Sequence, residues 1–176
     1  MKLLKKFVWL LASVALVSCG SDDDNNTPSF ELTSETIQGE FTMNDYFINT
    51  TTNTIVSEVD VEVIVEETDS NLENVVLNLS GGSYTTSGFI RRDIETGGEL
   101  TTDDETILAD NSGTYTLDVE EETITFTSDD ITADFVLIGM YSIESISTSK
   151  LEIEKSETTV DGDATTINTE SFSFER

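Results

Sequence analysis

The stretch Glu58-Val59-Asp60-Val61-Glu62-Val63-Ile64-Val65-Glu66 places four valines at alternate positions, with acids dominating the positions between them. Successive side chains of an extended strand point to opposite faces, whereas those on one face of a helix recur every three or four residues. The stretch therefore predicts a half-buried strand, with Val59, Val61, Val63 and Val65 turned inward. The same period of two recurs in Val75-x-Leu77-x-Leu79, Tyr115-x-Leu117-x-Val119, Ile124-x-Phe126, Leu151-x-Ile153 and Phe172-x-Phe174. No apolar stripe at helical spacing runs longer than about two turns.

Working outward, nine segments carry strand patterning, near 37–48, 55–66, 73–80, 83–92, 113–119, 122–128, 134–146, 149–158 and 165–175. Asn71, Gly81-Gly82, Gly97-Gly98, Asn111-Ser112-Gly113, Glu121-Glu122, Asp129-Asp130 and Asp161-Gly162 separate them as turn signals. Asp161-Gly162 is the strongest of these, because a type I′ hairpin needs positive φ at both central residues. Phe135 to Tyr141 is apolar at successive positions, the pattern of a strand covered on both faces or of a barrel wall under a loop or helix. Eight or nine strands in about 140 residues suit a sandwich or an up-and-down barrel. Most gaps are only a few residues, too short for crossovers, so consecutive antiparallel hairpins are expected, and closing them into a barrel removes exposed edges.

Composition narrows the chemistry. The 176 residues include 36 Asp or Glu against eight Lys or Arg, for a net charge of −28, with no His and a single Cys. Without imidazole there is no Ser-His-Asp or Cys-His catalysis and no His-ligated zinc or haem. One Cys permits neither an internal disulfide nor a thiolate cluster. Nucleic-acid affinity depends on Lys and Arg displacing counterions, so the sign of the charge excludes DNA and RNA as partners. No cofactor is expected.

The N-terminus reads as an address. Lys2, Lys5 and Lys6 precede an apolar run from Phe7 to Val17 and a small residue, Ser18. That run is shorter than the roughly 20 residues a membrane span requires, so residues 1–18 are expected to be a cleaved signal peptide. Leu16-Val17-Ser18-Cys19 resembles the bacterial lipobox, which implies lipidation of Cys19 and cleavage just before it. Processing would leave five cations (Arg91, Arg92, Lys150, Lys155, Arg176) against 36 acids, a net charge of −31. Residues 19–34, with Ser21-Asp22-Asp23-Asp24 at their start, form an expected polar, acidic tether. The Ser-Asp-Asp-Asp run resembles the export signal of Bacteroidota surface lipoproteins. It implies attachment to the outer membrane by lipid, facing either the cell surface or the periplasm. Asp22, Asp24 and Asn26 mimic the start of an EF-hand, but Thr27 stands where its Gly is required.

Residues 35–176 resemble the lipocalin-like domains of Bacteroidota lipoproteins. The resemblance rests on Leu77-Asn78-Leu79-Ser80-Gly81-Gly82-Ser83-Tyr84-Thr85-Thr86-Ser87-Gly88, on Ser112-Gly113-Thr114-Tyr115-Thr116-Leu117 leading to Ile124-Thr125-Phe126, and on Tyr141-Ser142-Ile143 followed by the strand around Leu151. Gly39-Glu40-Phe41 stands where lipocalins carry Gly-x-Trp, with Phe in place of the Trp that plugs the barrel floor. The resemblance implies an all-β, antiparallel, up-and-down, lipocalin-like β-barrel that binds a small apolar ligand.

Barrels of about eight strands either fill with side chains or hold one small ligand. Val59, Val61, Val63, Val65, Val75, Leu77, Tyr84, Tyr115, Leu117, Phe126, Phe135, Tyr141, Phe172 and Phe174 are the expected inward set. Tyr84, Tyr115 and Tyr141 are the candidate pocket residues, since Tyr joins an apolar body to one hydrogen-bonding group. Arg91 and Arg92 are candidates for binding a ligand carboxylate or phosphate. Their alternative role is pairing with Asp93, Glu95 or another surface acid. Among 36 acids close carboxyl pairs arise by chance, so neither glycoside hydrolysis nor calcium binding at Asp103-Asp104-Glu105 or Asp161-x-Asp163 is assigned. Two non-enzymatic roles remain open: a carrier of a small hydrophobic ligand, or a filled barrel that meets an envelope protein through its acidic surface.

Overall fold

The computed structural model describes residues 30–176; the expected signal peptide, Cys19 and the expected tether up to residue 29 lie outside the described residues. The described chain is all-β and antiparallel. Nine strands follow in order: β1 (Gly39–Val56), β2 (Val59–Ser80), β3 (Ser83–Thr96), β4 (Glu99–Leu108), β5 (Asn111–Asp118), β6 (Thr123–Ser128), β7 (Gly139–Ile146), β8 (Lys150–Asp161) and β9 (Ala164–Glu175). They form one sheet in the order β2-β1-β9-β8-β7-β6-β5-β3-β4, and pairing of β2 with β3 brings it round into a ring. β4 and β5 lie end to end along β3: Phe89 faces Leu108, and Thr86 faces Asn111. Between them the Ala109 N–H donates to the Gly88 carbonyl at 2.9 Å. Eight lines of chain thus close an up-and-down barrel.

Several strands depart from the expected bounds for local reasons. The segments expected at 55–66 and 73–80 are one 22-residue strand. Asn71, expected as a turn, lies instead at a register shift in the β2–β3 ladder, and Asn74 nearby takes positive φ. A residue that favours a turn has here produced a bulge within a strand. The acidic stretch after Asp93 supplies β4, folded back at Gly97-Gly98, where both glycines have positive φ. The Asp161-Gly162 turn is offset by one: Asp161 pairs with Ala164, and Gly162 and Asp163 are central. Of those two only Gly162 has positive φ, so this is not a type I′ turn. Ser57 and Glu58 do both take positive φ, without glycine, at the tip of β1–β2.

The core occupies the lower, closed part of the ring. Ile37, Phe41, Leu77, Leu79, Leu151 and Phe174 are completely buried there. Arg176 closes this end, its guanidinium 4.3 Å from the Phe41 ring centre and donating to the carbonyls of Thr36 and Gln38 at 2.8 Å each. Above the floor, edge-to-face aromatic pairs run from Tyr84 to Phe126 and Tyr141, with ring centres 5.1 and 5.8 Å apart. The series continues through Phe172 to Phe135, edge-on at 5.8 Å. Gly113 permits this packing, since a Cβ there would collide with the Thr127 carbonyl and the Tyr84 ring.

Two expectations about the interior need correction. Phe135 to Leu137 is not strand; the chain from Asp129 to Ile138 is a connection that turns inward before β7 begins at Gly139. Its apolar residues at successive positions reflect a plug, with Phe135 and Leu137 buried in the core. The connection is tied down by Asn111, whose amide donates to the Asp130 and Phe135 carbonyls, and by Tyr84, whose hydroxyl donates to the Leu137 carbonyl at 3.0 Å. The second correction concerns Val59, Val61 and Val63, which are 60%, 40% and 42% exposed although they alternate as predicted. β1, β2, β8 and β9 continue past the short strands β5, β6 and β7, and nothing among the described residues covers the inner face of these extensions.

Candidate functional site: the mouth of the barrel and the open sheet above it

Residues paired across neighbouring strands share a face, so the pairing register describes the inner wall row by row. Tyr46, Phe172 and Ile153 form the last fully apolar row. The next row is Glu67, Ile48, Glu170 and Lys155, and above it come Val65, Thr50, Asn168 and Glu157. Val63, Thr52, Thr166 and Thr159 follow, then Val61, Thr54, Ala164 and Asp161. The wall changes from aromatic to charged to a Val/Thr shelf within three rows.

A cleft of about 240 Å³ lies at this change, lined by Tyr46, Ile48, Glu67, Arg92, Glu170 and Phe172 on the wall and by Asp134, Phe135 and Val136 on the plug. The polar groups on its wall, Tyr46, Glu67, Arg92 and Glu170, are each held by a neighbouring side chain. Arg92 bonds the Glu67 carboxylate at 2.6 Å and that of Glu105 at 2.9 Å, joining β2, β3 and β4. The Tyr46 hydroxyl donates to Glu67 at 3.2 Å, and the Tyr46 backbone N–H donates to Asp69. Opposite, Glu170 accepts from the Tyr141 hydroxyl at 2.6 Å, from the Lys155 ammonium at 3.0 Å and from the Asn168 amide at 3.1 Å. Lys155 also donates to the Ile138 carbonyl at the end of the plug.

Electrostatics follow burial. Desolvation, reinforced by the Glu170 carboxylate, holds the Tyr141 phenol far above its ordinary value. Desolvation and then Glu67 do the same to Tyr46, against the opposing pull of Arg92. Burial acts to lower the Arg92 guanidinium, but Glu105 and Glu67 outweigh it and raise it. Asp69 is also raised, chiefly by burial. Both phenols are therefore locked as neutral donors to carboxylates.

The expected site residues are distributed differently from a single pocket. Tyr84, Tyr115 and Tyr141 are buried core, and none of them lines the cleft. Arg92 does line it, but its guanidinium is taken up by two carboxylates. Arg91 points elsewhere and pairs with Glu73 and Asp104 at 3.3 and 3.0 Å. The two arginines thus act as clasps that let acidic β4 lie along β3. Asp104 and Glu105 are held by these arginines, and no group of three or more Asp, Glu, His or Cys suited to a metal occurs among the described residues.

Tyr46, Glu67, Lys155 and Glu170 were not among the sequence candidates. Lys155 and Glu170 carry a readable signal, since the alternations Leu151-x-Ile153-x-Lys155 and Glu170-x-Phe172-x-Phe174 put a charge at an inward position of each strand. Tyr46 carries none. Its strand slips register between Met43 and Asp45, so the inward set passes from odd positions, Phe41 and Met43, to even ones, Tyr46 and Ile48. Comparison with protein-family models, with curated proteins and with solved structures finds no match for this chain.

Proposed function

We propose that this protein is a non-enzymatic, lipid-anchored interaction module of the bacterial outer membrane, in which a filled barrel is the mount and the open sheet above it engages an envelope protein. The observation that carries this reading is the contrast between the two ends of the molecule. The lower interior is packed by Phe135, Leu137 and the aromatic series, whereas Val56, Val59, Val61 and Val63 lie exposed side by side on the inner face at the upper end. Contiguous exposed apolar surface of this kind marks interaction sites. The described chain starts at the lower end, where Leu32 packs against the core and Thr36 meets Arg176. Lipid on Cys19 would therefore hold the closed end toward the membrane and display the open sheet away from it. The lipobox resemblance and the acidic run after Cys19 support this placement. The closed ring, with Phe41 at its floor under Arg176, is in keeping with the lipocalin-like resemblance.

The cleft bears on the two alternatives. Both of its glutamates are engaged by a cation and a phenol, an arrangement suited to holding strands together rather than to general acid–base work. At about 240 Å³ it also falls below the roughly 300 to 1,000 Å³ of small-molecule pockets. Carriage of a small apolar ligand is the second reading, favoured by the Tyr46, Phe135 and Phe172 rings that line the cleft.

A photo-crosslinking residue at Val61 or Val63, in cells that make the full-length chain, tests the proposal. The expected result is a discrete crosslinked protein band from both positions and none from buried Leu77. Absence of any band from Val61 and Val63, together with a stoichiometric apolar adduct in native mass spectrometry, would transfer the reading to ligand carriage. Cys19→Ser should abolish acyl labelling and membrane fractionation; a variant that still labels and fractionates would remove the lipid anchor from the proposal.

A further inference from the structure

The six strands that rise above the closed ring, β4-β3-β2-β1-β9-β8, end in two edges. β8 pairs with β7 only from Leu151 to Glu154, and β4 pairs only with β3. Among the described residues, no strand is hydrogen-bonded to β8 beyond Glu154 or to the far side of β4, although Gly139 at the start of β7 lies close to the Lys155 and Glu157 side chains.

The two edges are not equivalent. Proteins blunt exposed edges with charges, bulges and irregular backbone. β4 has all three: the run Asp103-Asp104-Glu105, two register shifts against β3, and positive φ at Asp104. β8 has an unbroken register with β9, no proline, and the β-branched run Thr158-Thr159-Val160. Its backbone phase can be read from its ends. Asp161 and Ala164 flank a two-residue turn and so form a hydrogen-bonded pair. By alternation Thr159 and Glu157 also bond to β9, while Ser156, Thr158 and Val160 aim their N–H and C=O groups outward. The lower end keeps this phase: Arg176 donates to the Ser149 carbonyl on the β9 side, and the Lys150 carbonyl accepts from Ser147 on the other.

Charge and side-chain alternation narrow the partner. The upper segments 50–65, 94–104 and 156–168 contain ten Asp or Glu and no Lys or Arg. On β8, Glu157 and Asp161 share the inner face, while Thr158 and Val160 lie on the outer face. A strand laid beside β8 would match basic residues to the first pair and apolar β-branched residues to the second. A second copy would bring a chain of net charge −28 against its like. The chain's own segment from Gly20 to Ser29 is acidic as well, with Asp22, Asp23 and Asp24 and no Lys or Arg.

We propose that the β8 edge from Ser156 to Val160 accepts, by strand addition, an extended segment of another protein in which basic and β-branched apolar residues alternate. This rests on the reading above that the open sheet engages a protein. Main-chain hydrogen bonds would supply affinity and the alternation specificity.

The test uses the full-length chain in detergent micelles and a fluorescent eight-residue peptide of alternating Lys and Val, with a Glu/Val peptide for comparison. Saturable binding of the Lys/Val peptide alone is expected, with slowed hydrogen exchange at the amides of Ser156, Thr158 and Val160. Thr158→Pro removes an outward N–H without taking a bond from the β9 ladder, and is expected to weaken binding at least tenfold. The paired reversal Glu157→Lys with Asp161→Lys is expected to do the same and tests the proposal without a backbone change. Undiminished binding to both variants, or protection elsewhere in the molecule, would overturn it. Self-association protecting the same amides, or adsorption of the chain to anionic vesicles in place of peptide binding, would overturn it too. If the peptide fails to bind while Val61 and Val63 still crosslink to a protein, the edge is wrong and the interaction reading stands; loss of those crosslinks removes the reading itself.

Discussion

β2 passes through two environments, and its ends behave as two different proteins. Val75, Leu77 and Leu79 in its lower part are at most 1% exposed, whereas Val59, Val61 and Val63 in its upper part are 40% to 60% exposed. Both trios alternate with polar residues and turn to the same inner wall. The lower trio belongs to the buried cluster inside the closed ring, which also holds Phe135 and Leu137 of the plug, whereas no described residue buries the upper trio. Alternation decides which side of a sheet a residue occupies; whether that side is dry depends on a second layer.

The largest expected effect that bears on this contrast comes from its best-packed residue. Phe172 contacts the rings of Tyr46, Phe135, Tyr141 and Phe174, so Phe172→Ala should cost about 3 to 5 kcal/mol in urea unfolding. Val61→Ala, with no second layer to lose, should stay within about 0.5 kcal/mol. Similar costs for the two would mean that the upper sheet is covered after all.

Lys155 marks the boundary between the two parts. It is 8% exposed and holds Glu170 against the end of the plug. Lys155→Met leaves that carboxylate without its cation, and a loss of about 3 kcal/mol is expected. The double variant with Glu170→Gln should recover a measurable share, because Tyr141 then donates to a neutral amide. A double variant no more stable than the single one would show that the pair is not what the boundary depends on.

Titration separates the two parts by pH. Tyr141 and Tyr46 have phenols raised in the folded state, first by burial and then by Glu170 and Glu67 respectively. A raised pKa means that folding favours the protonated form. This contribution is complete below the unfolded value of about 10 and is lost as pH climbs above it. Thermal melts should therefore lose midpoint above about pH 10, and Tyr141→Phe should flatten that loss. An unchanged alkaline slope in Tyr141→Phe would mean that its hydroxyl is not the titrating group.

The smallest effect is expected at the upper tip. Ser57 and Glu58 both hold positive φ without glycine, a conformation that costs roughly 1 kcal/mol or more per residue. Glu58→Gly should recover about 1 kcal/mol, seen as slower hydrogen exchange in the upper part of β1–β2. Global unfolding should move less, because local opening of this hairpin leaves the ring intact. Equal gains in both measurements would mean that the two parts unfold as one unit.

Much of the site was hidden by small irregularities. The shift at Met43/Asp45 in the β1–β9 ladder conceals Tyr46 from any count by twos, because one extra residue reverses the parity of all that follow. Asn71 and the acidic stretch after Asp93 look like chain breaks, yet one lies at a strand register shift and the other forms β4, held by Arg91 and Arg92. The inward charges Lys155 and Glu170, by contrast, were open to a count of alternate positions. A charge at an apolar position implies a partner across the sheet, and the sequence holds few cations to supply one.

The sequence by itself determined the class of fold: alternation over most of residues 35–176 and short turn-bearing gaps leave little but antiparallel hairpins. It also determined the strongly negative net charge, on which the expectation against phosphate-backbone partners rests. Tertiary structure alone decided that the ring fills, that its plug is a connection rather than a strand, and that four valines with strong alternation line an open shelf. The reason is physical. Period and charge are properties of neighbours along the chain, whereas burial belongs to whatever arrives from the far side of the sheet. Here that was Phe135 and Leu137 for the lower half of the wall, and no described residue for the upper half.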